Sequence, residues 1–485
     1  MNAPIRRLSA LVALLFVSLL VSSTWIQVVS AKSINDQPGN RRTLLASYNR
    51  ERGSIIVGGE AVARSVASDD ELAWNREYPR GPLYAHVTGY FSFLYGAGGG
   101  LEGAQNDLLS GRSDRLFYRR VSDLLTGKSP VGASLELTIN PAAQSAAERA
   151  LGNQRGAVLA LDPQTGAILA MVSHPSYDPK VLSSHDLGAV ESSWVKLLKD
   201  DGDPLINRAI AGDLYPPGSI FKLITAAAAL ESGQYTQDSS VPGPAALELP
   251  GVSKPLPNHD GRACGPNDKT TLLGAMVISC NTAFASLGMT LGADALRQQA
   301  AAFGFGERVD IPMRATASTM PATMDEPQTA QAAIGQFDVR VTPLQMAMVA
   351  AAIGNDGEVM TPYLVRRVLG SQLQTIDEAS PETLSDAVST STARQLTTMM
   401  KAVVSQGTGQ AAQIPGVEVA GKTGTAQHAV GAAPHAWFVS FAPAADPQVA
   451  IAVVVEDGGN AGNEAAGGSV AGPIAKAVME AVLAS

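Results

Sequence analysis

The stretch Tyr215-Pro216-Pro217-Gly218-Ser219-Ile220-Phe221-Lys222 holds a hydroxyl and an amine at a spacing that suits nucleophilic chemistry. Prolines just ahead of a run of good helix formers mark a helix start, and Gly233 marks its stop. Ser219 then falls in the first turn, with Lys222 three residues on and on the same face. A serine hydroxyl is a weak nucleophile until a base takes its proton. A lysine serves as that base where burial and neighbouring charge keep its amine neutral. The free N–H groups of a first helical turn also help to hold an oxyanion. Taken alone, Ser-x-x-Lys is common by chance, and its bland reading is a solvated helix face.

Two later stretches offer complementary groups. Ser279-Cys280-Asn281-Thr282 follows the apolar run Leu272 to Ile278 and sits at a helix end or in a loop. There a hydroxyl would relay a proton, and an amide two residues on would hold a peptide bond. The bland reading is a helix-terminating turn. Ala420-Gly421-Lys422-Thr423-Gly424-Thr425-Ala426-Gln427 lies between the strand candidates Val417 to Ala420 and Ala436 to Phe441, with Val449 to Val455 as the next strand. Small residues at 421 and 424 let another backbone come close, as an edge-bound peptide requires. Lys422 brings positive charge and Thr423 and Thr425 bring hydroxyls, a set suited to an anionic carboxylate. The bland reading is an ordinary hairpin with an exposed lysine.

These stretches need a scaffold, and the sequence outlines one. Leu135 to Ile139 reads as a strand, and Asn140-Pro141 opens a helix through Leu151. Gly156 to Asp162 and Ala167 to Val172 flank the turn residues Asp162-Pro163-Gln164-Thr165-Gly166, a hairpin signature. The implied fold class is α+β, with helices packed against an antiparallel sheet. Upstream, short strand-like pieces such as Gly53 to Val57 before Gly58-Gly59, and a short helix from Leu101 to Gly111, carry no catalytic spacing. They read as a smaller N-terminal pedestal or interaction module.

Composition narrows the class. The 485 residues are 45% hydrophobic and 16% charged, enough for two or three domains with a large core. A net charge of −9 with no basic stripe argues against a nucleic-acid surface. The six histidines and two cysteines form no His-Glu-x-x-His or Cys-x-x-Cys pattern, so a catalytic metal has no support in the sequence. Arg6 and Arg7 precede an uncharged run from Leu8 to Ala31, 24 residues long. At about 1.5 Å per residue such a helix crosses a hydrocarbon core of roughly 30 Å. The preceding charge puts the N-terminus inside and the remainder outside. The rival is a cleaved signal peptide, with Leu8 to Val21 as its apolar region and Ser30-Ala31 as small residues. Length and Trp25 favour a retained, single-pass anchor, followed by a polar linker over 33–48. The expected organisation is a tail over 1–7, an anchor over 8–31, a non-catalytic module over 32–130 and a catalytic domain over 131–485.

Together, Ser-x-x-Lys, Ser-x-Asn and Lys-Thr-Gly in this order are the motif set known of penicillin-binding proteins and class A β-lactamases. Ser173-His174-Pro175-Ser176-Tyr177-Asp178-Pro179, Asn207-Arg208-Ala209, Ile334-Gly335-Gln336, Val341 to Gln345 and Gly407-Thr408-Gly409 further resemble the transpeptidase domain of the monofunctional, class B penicillin-binding proteins. The likeness covers about residues 130 to 485. A weaker likeness runs through Arg52 to Ile55 and the Gly100 to Gly111 segment to the family's N-terminal domain. The resemblance implies a peptidoglycan D,D-transpeptidase acting on stem pentapeptides that end in D-Ala-D-Ala. It implies Ser219 as the nucleophile, Lys222 as its base and Ser279 as proton relay aided by Lys422. Asn281 would hold Lys222 and the substrate amide. Thr423 and Thr425, with Gly424 between them, would bind the terminal carboxylate, and the N–H groups of Ser219 and Thr425 would form the oxyanion hole. β-Lactams would leave Ser219 acylated, no step would need a metal or organic cofactor, and a polytopic glycosyltransferase is an implied partner.

This chain departs from the pattern at Cys280, the middle residue of Ser-x-Asn. Cys264 lies 16 residues earlier on the same, extracytoplasmic side. A disulfide between them is the expectation, with a buried thiol as the alternative. Among rival activities, a β-lactamase of class A would need a glutamate between the second and third motifs, and no Glu-x-x-x-Asn match is evident. A β-lactam sensor would need further spans or a cytoplasmic output domain. A D,D-carboxypeptidase, with water replacing the acceptor amine, stays open.

Overall fold

The computed structural model describes residues 2–30, 33–34, 50–70, 72–116, 131–429 and 431–485. Most of the linker expected over 33–48, and the change of texture at Ser129-Pro130, lie outside the described residues. Helix Asn2–Thr24 continues through a π-wound turn, Trp25–Val29. Ala3–Gln27 is long and apolar enough to cross a membrane, and side chains such as Leu14, Phe16, Leu19 and Leu20 are exposed along it. The helix starts earlier than the uncharged run and takes in Arg6 and Arg7, because nothing in those residues stops a helix.

The candidate motifs are arranged around a five-stranded antiparallel sheet in the order Ala420–Ala426, His435–Ala442, Val449–Val455, Gly156–Leu161, Ile168–His174. Side chains along a strand alternate between faces. Val158, Phe438 and Ile451 therefore pack under helices Pro141–Leu151 and Gly467–Leu483. Leu159, Val439 and Val454 face the opposite core with Met346 and Val349 of helix Pro343–Gly354. Covered on both sides, Val449–Val455 is buried at every residue, which explains its unbroken apolar run. Helix Pro141–Leu151 starts where Asn140 predicts, its side-chain oxygen accepting from the N–H groups of Ala142 and Ala143 at 2.9 and 3.1 Å.

The N-terminal residues form a short ribbon of their own, Tyr90–Ser92 with Gly96–Gly98; their other described strands join a shared sheet. A six-stranded sheet runs Thr375–Glu378, Val365–Leu369, Ser134–Leu137, Ile55–Val57, Glu60–Ala67, Trp74–Glu77. Ile55–Val57 pairs in parallel with Ser134–Leu137, so strands from both sides of residue 130 share one sheet. The 101–111 segment folds as two short helices, Gly100–Ala104 and Asn106–Leu109. Glu102 is buried between Arg52 and Arg76, each guanidinium Nε lying 2.6 Å from one of its carboxylate oxygens.

Candidate active site

Ser219 lies on a 3₁₀ turn, Gly218–Phe221, that runs without a break into helix Lys222–Glu231. The sequence predicts the first turn of an α-helix here; the observed winding is tighter. Gly218 takes φ +55°, a region that disfavours a side chain, and a Cβ there would come within 2.7 Å of the Thr425 carbonyl oxygen. The Gly218 N–H donates to Gly335 O at 2.9 Å, and the Trp437 indole N–H donates to Pro216 O at 3.2 Å. Ser219 itself is half-buried.

Lys222 is fully buried. Its Nζ lies 2.7 Å from Ser279 O, 2.7 Å from Asn281 Oδ1 and 3.3 Å from Ser279 Oγ. The structure thus ties the lysine to the second motif; among the described residues its Nζ makes no hydrogen bond to Ser219. Ser279 occupies the turn between helices Leu272–Val277 and Asn281–Leu291 at φ +59°, strained for a residue with a side chain. That conformation turns both its carbonyl and its hydroxyl toward Lys222. Cys280 is the N-cap residue of the following helix and is disulfide-bonded to Cys264, with Cα atoms 6.1 Å apart.

Asn258 was not singled out by its sequence context, yet it holds this turn in place. Its buried amide oxygen accepts from the N–H groups of Asn281 and Thr282, both at 3.0 Å. Its amide nitrogen donates to Pro244 O and Arg262 O, both at 2.8 Å. Nothing around Asn258 in the chain signals these partners.

The third motif lies within a strand rather than between two. Ala420–Ala426 is the edge strand of the five-stranded sheet, and no strand among the described residues pairs with its outer side. A Cβ at Gly424 would stand 3.1 Å from Pro217 O and 2.9 Å from Trp437 Cβ, so the small residue brings the strand against the Ser219 turn. Gly421 serves differently: the nearest atom to a Cβ there is on the Phe438 ring, at 2.7 Å. Lys422 is fully buried, and its Nζ lies 2.9 Å from both Ser279 Oγ and Thr423 O. The Thr423 hydroxyl pairs with that of Thr408 at 2.7 Å, while Thr425 remains half-buried.

Ser279 Oγ therefore bridges two buried amines. Burial pulls the pKa of Lys422 from 10.5 down to about 7. Burial, and then the charge of Lys422, hold Lys222 well below the usual lysine range. Two ammonium groups sharing one hydroxyl, with no carboxylate partner among the described residues, are costly, so one of the pair gives up its proton readily. A neutral amine beside a half-buried serine, linked through a hydroxyl to a second amine, can take a proton and pass it on.

His428, His435 and Asp457 also converge near the end of this strand, with potential ligand atoms within 4.8 Å of one another. The two imidazoles are stacked 4.0 Å apart with planes 7° from parallel. A metal ion binds in the plane of each imidazole, so rings held face to face do not aim both lone pairs at one point. The cluster is held as a ring stack and a polar contact, with His428 Nε2 3.1 Å from Asp457 Oδ1.

A five-stranded sheet whose edge strand flanks a serine–lysine turn is the arrangement of the penicillin-recognising serine enzymes, and the chain belongs to the class B penicillin-binding proteins. A family model described as the penicillin binding protein transpeptidase domain matches residues 156–480. One described as the penicillin binding protein A dimerisation domain matches residues 52–135. The chain is 44% identical to the peptidoglycan D,D-transpeptidase PbpA of Mycolicibacterium smegmatis, and 43% identical to that of Mycobacterium tuberculosis. Both alignments cover 100% of this chain and 99% of the relative. The structure is similar to the ceftriaxone acyl-enzyme complex of M. tuberculosis penicillin-binding protein A, with a TM-score of 0.87 and 43% identity. It is similar to the penicillin G acyl-enzyme complex of the same protein with a TM-score of 0.85 and 42% identity. Each comparison covers 90% of this chain and 100% of the other.

Proposed function

We propose that this chain is a peptidoglycan D,D-transpeptidase that works through an acyl-enzyme on Ser219. The observation that carries the reading is Ser279 Oγ, held 3.3 Å from Lys222 Nζ and 2.9 Å from Lys422 Nζ beside the Ser219 turn. In the forward step, neutral Lys222 takes the Ser219 proton as Oγ attacks the carbonyl between the two D-alanines. The N–H groups of Ser219 and Thr425 stabilise the oxyanion. The C–N bond then breaks, and the departing D-alanine amine receives a proton through Ser279, supplied from the Lys222–Lys422 pair. Asn281 fixes Lys222 and the substrate amide. Thr423 and Thr425 receive the terminal carboxylate, Gly424 keeps the strand close to Ser219, and the substrate backbone extends along the outer side of Ala420–Ala426. An amine from a second stem peptide attacks the ester and restores Ser219. β-Lactams take the place of D-Ala-D-Ala and leave the serine acylated.

In the same reading, residues 1–7 stay in the cytoplasm, 8–31 anchor the chain, and 32–130 support a catalytic domain over 131–485 outside the membrane. A polytopic glycosyltransferase that supplies nascent strands is the partner suited to such an arrangement. The test is labelling of wild type and Ser219→Ala with fluorescent penicillin, followed by product analysis on pentapeptide strands. Label on wild type alone, with cross-linked product, supports the proposal. Labelling of Ser219→Ala at the active site refutes the nucleophile, and release of D-alanine without cross-links identifies a carboxypeptidase.

A further inference from the structure

The nucleophile turn is approached through a stiff segment, because Pro216 and Pro217 fix their own φ angles. The position of Tyr215 is therefore passed on to Ser219 with little slack. Tyr215 is itself held on two sides. Its main chain exchanges hydrogen bonds with Val341 at 3.0 and 2.8 Å. Its phenol donates to Glu456 Oε1 at 2.6 Å. Its ring meets His435 and Trp437 edge to face, with centroids 5.5 and 5.8 Å away.

Glu456 is a firm acceptor for this purpose. It directly follows strand Val449–Val455, and its N–H donates to Arg155 O at 2.8 Å. Its carboxylate lies between Arg208 Nε at 2.9 Å and Arg155 Nε at 2.6 Å, the latter an ion pair without a well-aligned hydrogen bond. Arg208 is in turn fixed by Gly202 O at 2.6 Å and Asp203 O at 3.1 Å. A carboxylate neutralised by two guanidinium groups has no need of a phenol to offset its charge. The Tyr215 contact therefore adds direction rather than charge balance.

We propose that Tyr215 and Glu456 are positioning residues for acylation. The Tyr215 phenol, held by the Glu456 carboxylate, registers the Ser219 turn against the central sheet so that Oγ lies in line with the edge strand. This rests on the reading of Ser219 as nucleophile. Small displacements of a reacting atom are expensive in rate, even when binding is unaffected.

Tyr215→Phe keeps the ring contacts and leaves Glu456 paired with both arginines. In full-length protein in detergent, acylation is followed by stopped flow with fluorescent penicillin over a range of concentrations. The saturating first-order constant is expected to fall about tenfold while the pre-acylation Kd stays within about twofold, a misplacement effect of modest size. A first-order constant does not depend on how much protein is folded, so partial unfolding lowers the amplitude and not the rate. An unchanged rate constant overturns the proposal. So does a loss confined to amplitude or melting temperature, which marks a merely structural tyrosine. Glu456→Gln retains an oxygen to accept from the phenol and is expected to lose less rate than Tyr215→Phe; an equal or larger loss also overturns it. Wild type that takes no label at Ser219 refutes the underlying function instead.

Discussion

Replacing Lys422 with methionine is expected to make the protein more stable at neutral pH while removing its activity. Lys422 is fully buried, and burial lowers its pKa from 10.5 to about 7. A folded-state pKa below the unfolded one means that the unfolded chain binds the proton more tightly. Stability then rises with pH across the window from about 7 to about 10.4, and the folded state is penalised most at and below pH 7. At about 1.36 kcal/mol for each tenfold change, the penalty is about 4 kcal/mol at pH 7 and about 2 kcal/mol at pH 9. Lys422→Met removes that penalty and keeps an unbranched side chain. It also deletes the hydrogen bonds to Ser279 Oγ and Thr423 O, each worth about 1 kcal/mol. The variant should be about 2 kcal/mol more stable than wild type at pH 7, with the gap closing near pH 9. Relief of repulsion on Lys222 acts in the same direction. Urea unfolding of the full chain in detergent at both pH values measures the gap, and penicillin acylation on the same samples is expected to fall at least about 100-fold. A variant less stable than wild type at pH 7, or a gap that ignores pH, refutes the argument that a buried, proton-shedding amine is maintained here at the expense of stability.

Lys222→Arg retains a charge where the mechanism needs a neutral base, so the penicillin acylation rate should fall by about 10²- to 10⁴-fold; a loss under tenfold would falsify the base assignment. Reducing the Cys264–Cys280 disulfide reopens a loop with a sequence separation of 16. In the chain-entropy model that costs about 3 kcal/mol, read as a lower urea midpoint, and an unchanged midpoint counts against it. Asn258→Ala strips the acceptor from the Asn281 and Thr282 N–H groups and leaves Pro244 O and Arg262 O without that donor. It should cost about 2 to 4 kcal/mol of stability and slow acylation. Normal acylation kinetics in this variant would show that the Ser279 turn needs no such support.

The motifs that carry Ser219, Lys222, Ser279, Asn281 and Lys422 are legible because each is local: residue type and spacing appear within a few positions. Their convergence on one hydroxyl was not legible, since Lys222, Ser279 and Lys422 are joined by contacts that span 57 and 143 residues. Separation along the chain likewise hides Asn258 behind Asn281, 23 residues apart, and Glu456 behind Tyr215, 241 residues apart. In the fold, the hairpin of Gly156–Leu161 with Ile168–His174 was readable because its strands are neighbours in sequence. The pairing of Val449–Val455 with Gly156–Leu161, which places Ala420–Ala426 at the edge, depends on a return of the chain across some three hundred residues. The six-stranded sheet also depends on a distant return of the chain, where Val365–Leu369 joins Ser134–Leu137.

The misplacement of the third motif has a different cause. Gly421 and Gly424 lower the strand propensity of Ala420–Ala426, so a reading by residue preference stops the strand where the motif starts. Larger residues would favour a strand locally, but at 424 a Cβ would meet Pro217 O and Trp437 Cβ and push the edge away from Ser219. Close approach and strand propensity make opposing demands at that position. Pairing with His435–Ala442 through seven consecutive residues supplies the order that the glycines do not. The local rule is broken at the place where the sheet edge meets the turn of Ser219, the proposed nucleophile, as expected of a functional edge.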